Sequence, residues 1–207
     1  MIQLILNKLN IRLDENQKWI ALSYFVFGTI YAYTSPTFIK EYGMHLPAQF
    51  FAVEAIVCSL SSLLVGMVWQ GKTRILSVKW FAHLALAESI IAFAIGMYLA
   101  FVQYNIWLLA VSCVVYSNLI SVFVGKCIMT FRTKIWNEEA REIYDNNNSI
   151  IGSMTCLLGY GASLLVLPSV RVSVILWGIT CLFDNIAWCY LYWKKRESLL
   201  IKEDNSR

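Results

Sequence analysis

From residue 18 onward the chain is written in long apolar blocks separated by short polar segments. Within the blocks, apolar residues neither alternate with polar ones nor keep to a narrow stripe, so a helix built from them is apolar all round. Six blocks reach roughly 20 residues: 18–39, 47–69, 79–101, 106–127, 149–170 and 173–193. That length matters because about 30 Å of hydrocarbon is crossed at about 1.5 Å per residue. A transmembrane barrel would show alternating strands of about ten residues instead. The pattern predicts an all-α integral membrane protein with six transmembrane helices in one domain, residues 1–207.

The segments between the blocks are amphipathic rather than featureless. In residues 1–16, MIQLILNKLNIRLDEN, the spacing of Ile2, Ile5, Leu6, Leu9 and Leu13 predicts a short interfacial helix. No basic n-region or small-residue cleavage site accompanies it, so a signal peptide is not expected. Residues 128–148 mix Glu138, Glu139, Arg141 and Glu142 with Ile135, Trp136, Ile143 and Tyr144. This loop is expected to form a surface helix, broken by Asn146-Asn147-Asn148-Ser149, which would cap the fifth span. That span carries Gly152, Ser153, Gly159, Gly161, Ala162 and Ser163, a small-residue face suited to close helix packing.

Composition and charge sharpen this picture. The chain is 58% hydrophobic and 14% charged, with mean hydropathy +0.59, whereas soluble domains carry about 25% charged residues. Of 17 Lys and Arg, all but Lys40 and Arg171 fall at the termini, after the second block or after the fourth. Cytoplasmic loops retain positive charge, so both termini and the tail 194–207 are expected in the cytoplasm. The net charge of +4 is then topological: it implies an anionic bilayer surface as neighbour and no nucleic acid. The expected location is a bacterial cytoplasmic (inner) membrane, crossed several times. The sequon Asn147-Asn148-Ser149 falls on the cytoplasmic side and is discounted.

Little in the sequence suggests catalysis. The six cysteines fall in or at the ends of spans, no CxxC occurs, and His45 and His83 are the only histidines. Cysteines there behave as small buried hydrophobes, so no metal or cofactor is expected. No nucleophile motif appears, and no catalytic residue is assigned. Gly66-Met-Val-Trp-Gln-Gly71-Lys72-Thr73 formally satisfies the phosphate-loop pattern. That loop functions only between a strand and a helix, a context an apolar helix end does not supply. Gly66 reads instead as a close-packing residue, and Lys72 and Arg74 as anchors of a cytoplasmic turn.

The same turn, GMVWQGKTR with Gly66, Gly71, Lys72 and Arg74, resembles the Gly-plus-basic connection between helices 2 and 3 of the major facilitator superfamily. It lacks the aspartate usual there. Gly152 and Gly161 in GSMTCLLGYG echo part of the glycine pattern of that family's proton-coupled exporters, although Leu165 and Val166 replace its Gly-Pro step and the fourth span lacks an arginine. The resemblance implies a half bundle equivalent to the family's N-terminal six helices.

Three acids fall within the predicted spans: Glu54, Glu88 and Asp184. An ionised carboxylate in hydrocarbon must be sheltered, paired or protonated. Either the acids line an ion or substrate path together with Asn118, or they are protonated fasteners bonded to Tyr24, Tyr31, Tyr116, Asn118 or Asn185. The sequence therefore supports a half-length, proton- or cation-coupled exporter-like transporter working as a homodimer or with a partner membrane chain. A non-transporting binding protein, such as an immunity factor or assembly subunit, is the alternative.

Overall fold

The apolar blocks become helices because continuous apolar sequence leaves the backbone's own i→i−4 bonds as the least costly way to satisfy its polar groups. A computed structural model describes the backbone of residues 15–71, 78–116 and 121–204, and the side chains of 17–67, 83–116, 121–183 and 185–195. The predicted interfacial helix over 1–16 thus lies almost wholly outside the described residues. Eight helices follow in order: α1 Glu15–His45, α2 Ala48–Gly71, α3 Val78–Phe101, α4 Ile106–Val114, α5 Ser121–Ile135, α6 Glu138–Leu165, α7 Val170–Asp184 and α8 Ile186–Asp204. No strand occurs among the described residues.

Three stretches are long and apolar enough to cross a membrane: Ala48–Met67, His83–Phe101 and Val170–Lys195. Of the six spans expected, three meet the length and apolarity of a crossing among the described residues. Helices α1 and α6 are longer, at 31 and 28 residues, but Tyr, Thr, Ser and Gly dilute their apolar content. The fourth block, expected as one helix over 106–127, contains α4 and the start of α5, which runs on to Ile135. Between α7 and α8, Asn185 forms a turn, its N–H reaching back to Phe183.

The expected break at Asn146–Ser149 is overturned. Helix α6 passes through it without interruption, and its N-cap is Asn137, whose side chain accepts the Ala140 N–H at 2.9 Å. Asn137 follows Trp136 and precedes Glu138-Glu139, so the cap and two acids meet the positive end of the helix dipole together. The same logic places Asn105, which accepts from the Trp107 and Leu108 N–H groups, and Ser169, which accepts from Val172.

Packing is strongest between α1 and α6, between α3 and α7, and between α1 and α7. Glycines set the first two contacts. A Cβ on Gly159 would stand 2.5 Å from Ala32 Cβ and 2.6 Å from the Thr29 carbonyl oxygen, so α6 lies on α1 with no room for a methyl group. Gly28 and Gly152 line the same crossing, against Thr155 and Tyr24. In the second contact Gly96 and Gly178 meet backbone to backbone. The expected small-residue face of α6 is thus real, but Gly161 lies off it: a Cβ there, as at Gly66, would meet none of the described atoms within 4 Å. Helix α2 stays peripheral: only 6% of its apolar window is buried, against 33% for α3.

Two buried clusters form the core. One joins Phe38, Leu99, Leu109, Val174 and Trp177; the other joins Phe131, Trp136, Tyr144, Trp188 and Tyr192. None of the six cysteines forms a disulfide; Cys127, Cys181 and Cys189 are buried in these clusters as expected, whereas Cys58 and Cys113 are half-buried and Cys156 is exposed. Connections are tied locally. Thr37 donates to the Pro168 carbonyl at 3.0 Å, and Arg171 donates to the Ala100 carbonyl at 2.8 Å with its guanidinium 5.3 Å from the Phe101 ring.

Candidate functional site

The predicted acids do not converge on one point. Glu54, half-buried on α2, lies within electrostatic reach of Tyr42, Tyr31 and Cys113. Glu88 is buried in the middle of α3, with 4% exposure, and its Oε1 accepts the Ser121 hydroxyl at 3.4 Å. This serine stands at the start of α5. Asn118 and the side chain of Asp184 lie outside the described residues. His83 is exposed and sits edge-on to Trp193 at 6.1 Å.

A cavity the sequence did not reveal opens beside Glu88. Its volume is about 430 Å³, and α1, α5, α6 and the first turn of α8 wall it. On α5, Ser121, Gly125, Ile128 and Arg132 recur every three or four residues and so share one helix face toward it. Tyr24 and Ser23 come from α1, Tyr144 and Asn148 from α6, and Asn185 and Trp188 from the α7–α8 junction. Among the described residues its charged lining is Lys126 and Arg132. Ser121 belongs to this wall and also donates to Glu88, so one hydroxyl separates the buried acid from the cavity.

Arg132 is held from three directions. An Nη2–H donates to the Asp145 carboxylate, the Tyr144 ring lies 4.5 Å from the guanidinium, and the Trp136 ring 5.9 Å. Such stacking is worth about 1–2 kcal/mol when partly desolvated. The ion pair itself adds little, because Asp145 is 62% exposed. Arg132 Nε is buried without a hydrogen-bond partner, a donor left over after Asp145 is served. Burial pushes the Tyr144 phenol up to about 12 against the opposing pull of Arg132, so it remains a neutral donor throughout the physiological range. Gln17, buried on α1, donates to the Ala140 carbonyl at 3.2 Å and ties this end of α6 to α1.

The remaining candidates are scattered. Gly66 and Gly71 lie within helix α2, so the backbone there is helical and cannot wrap a phosphate. Lys72 and Arg74 lie outside the described residues. Among the described residues no group of three His, Cys, Asp or Glu is placed to hold a metal ion. What could have pointed to the cavity is the polar spacing Ser121, Gly125, Arg132 along α5, which the expected loop over 128–148 cut in two.

Among the described residues the fold is therefore all-helical, with three stretches long and apolar enough to cross a membrane. Comparisons with family models, curated proteins and solved structures return no match, so no family is assigned.

Proposed function

We propose that the chain is a half-length secondary transporter of the exporter type, with six spans and both termini cytoplasmic, coupled to protons through Glu88. The observation that carries the reading is the pairing of a substrate-sized cavity with a buried acid one hydroxyl behind its wall. Intramembrane acids sheltered in this way mark ion and proton paths. In this reading Lys126 and Arg132 lie at the cytoplasmic mouth, where the positive-inside distribution puts α5 and the start of α6.

The helix pairing supports the same reading. Let the six segments be α1, α2, α3, α4 with α5, α6, and α7 with α8. Exchanging the first three with the last three turns the pairing of first with fifth into fourth with second. It turns first with sixth into fourth with third, and leaves third with sixth unchanged; all of these pairs are present. Contacts of the fourth segment with the fifth and sixth, at the end holding Trp136, have no counterpart among the described residues. A bundle of this kind is what two inverted three-helix repeats would build, and such repeats occur within each half of major facilitator transporters. Transport sites in such folds lie between halves, so a second copy or a partner chain completes the unit. The open apolar flank of α2, at 6% burial, leaves surface for either.

That flank also favours the second reading, a membrane subunit that binds a partner and transports nothing. Glu88 separates the two. Glu88→Gln keeps size and hydrogen bonding but cannot ionise. The transporter reading expects a normally assembled Glu88→Gln protein that no longer restores the growth or efflux phenotype of a deletion strain. A binding subunit expects Gln to be silent and only Glu88→Leu to impair assembly. Topology is checked independently. Reporter fusions after residues 74, 137 and 200 should read cytoplasmic, and those near 43 and 104 external; an external signal at 137 would overturn the six-span reading.

A further inference from the structure

The last long apolar stretch is continuous in sequence but divided in space. Val170–Lys195 is long enough to cross a membrane, yet α7 ends at Asp184 and α8 begins at Ile186. Asn185 stands between them at φ −94° and ψ −2°, the angles of the third residue of a turn. Its N–H reaches back two residues to Phe183 rather than four to Cys181. Its carbonyl then accepts the Cys189 N–H at 2.9 Å and starts α8. A broken helix at membrane depth is tolerated only where it is buried in protein or lines a cavity. Asn185 does both, being 6% exposed and part of the cavity wall.

The two halves belong to different parts of the core. Val174, Trp177 and Cys181 of α7 pack in one buried cluster, and Trp188, Leu191 and Tyr192 of α8 pack in the other. Among the described residues neither cluster takes members from both halves. Helix α7 is fastened along its length. Arg171 holds the Ala100 carbonyl, Gly178 lies on the Gly96 backbone, and the Phe183 ring stacks on Phe27 at 5.3 Å. Past the turn the contacts are ring edges and tilted rings: Trp188 meets Phe131, Trp136 and Tyr144 at 6.5, 5.9 and 5.9 Å. Ring pairs hold over a range of angles, whereas a backbone crossing does not.

We propose that Asn185 is a hinge on which α8 swings, making Ala187 and Trp188 the movable wall of the cavity while α7 stays fixed on α1 and α3. The other walls are tied to one another: Arg132 joins α5 to Asp145 and Tyr144 of α6, and Gln17 joins α1 to α6. Displacing Trp188 therefore widens the cavity from one side and opens a way into it. The inference stands on the helix break and not on transport, since a binding subunit would admit its ligand by the same movement.

Distances are measured by double electron–electron resonance on the full chain in lipid nanodiscs. Nitroxides are coupled to inserted ketone-bearing residues, so the six cysteines stay in place. One pair joins the exposed positions Lys194 of α8 and Leu157 of α6; the control pair joins Val172 of α7 to Leu157. A swing of about 20° moves a label nine residues from the hinge by about 5 Å. The first pair should show two populations separated by about that distance, and the control pair a single narrow one. Asn185→Ala and Asn185→Gly both remove the carboxamide but act oppositely on the backbone, Ala continuing the helix and Gly loosening it. The ratio of displaced to resting population should be about fivefold higher in Gly than in Ala. A single narrow population for both pairs in the wild type would overturn the hinge without recourse to any Asn185 variant. Two populations in the control pair would place the movement in α6 or α7 and overturn it as well. Equal ratios in Ala and Gly would make the carboxamide, not the backbone, the controlling feature, with the same consequence. Because the readout is a distance, its failure leaves the Glu88→Gln test of transport untouched.

Discussion

Gly159→Ala should be among the most damaging single-methyl changes in this chain, lowering stability by about 3 kcal/mol, near the top of the usual range for overpacking. The added carbon would stand 2.5 Å from Ala32 Cβ, 2.6 Å from the Thr29 carbonyl oxygen and 2.8 Å from the Tyr33 nitrogen. Two of those three atoms are backbone and cannot swing aside. Helices α1 and α6 would have to separate, and every contact along the crossing would weaken with them. Gly161→Ala, two residues on, meets nothing within 4 Å and should be neutral or stabilising by up to about 1 kcal/mol through helix propensity. Thermal unfolding of the two purified variants in one detergent checks the contrast. Equal stability of both would refute the close α1–α6 crossing.

Gly96→Leu should prevent the bundle from assembling, because its side chain would enter the backbone of α7. Even a Cβ at this position lies 3.0 Å from Gly178 Cα and 3.2 Å from the Val174 carbonyl oxygen. The reverse substitution is gentler. A Cβ on Gly178 has its nearest neighbours at 3.4 Å, ordinary contact, so Gly178→Ala should cost less than about 1 kcal/mol. The expected order of yield and melting temperature is wild type, Gly178→Ala, Gly96→Ala, Gly96→Leu. If Gly96→Leu runs as a monodisperse peak with wild-type stability, the α3–α7 contact is wrongly placed. That contact also lies where the third and sixth segments exchange under the repeat reading, so losing it would remove both.

Helix content and the longest apolar segments were legible because lipid-compatible length is a one-dimensional property. Blocks 47–69 and 79–101 return as α2 and α3 within a few residues. The limits of α6 were not legible. Asn146, Asn147 and Asn148 are poor helix formers by local chemistry, yet Asn147 is buried and Tyr144 packs on Trp136 and Trp188. Tertiary contacts on one side of the helix outweighed a propensity deficit of a few tenths of a kcal/mol per residue. Asn137 was overlooked as a cap because Trp136, in front of it, reads as one more residue of an amphipathic face.

The site was legible only in part, and for a geometric reason. Burial of Glu88 follows from its place in an apolar block, but its partner Ser121 is 33 residues away, a distance no periodicity reports. Lys126 and Arg132 entered the sequence reading as topology charges, which a count along the chain cannot distinguish from residues lining a cavity. Gly66 and Gly161 were favoured by motif and Gly159 by nothing beyond its size, whereas only the last is wedged against a neighbour. Which small residue lies at a crossing depends on helix rotation, and rotation is fixed by all the partners at once.

Helix α6 has a mechanical consequence. Its 28 residues form a strut about 42 Å long, fastened to α1 near both extremities, by Gln17 on the Ala140 carbonyl and by Gly159 against Ala32. Two such fastenings leave the pair free to pivot but not to shear. A tilt of about 5° applied where Arg132 grips Asp145 would therefore displace the far tip near Leu165, about 30 Å along the helix, by about 2.6 Å.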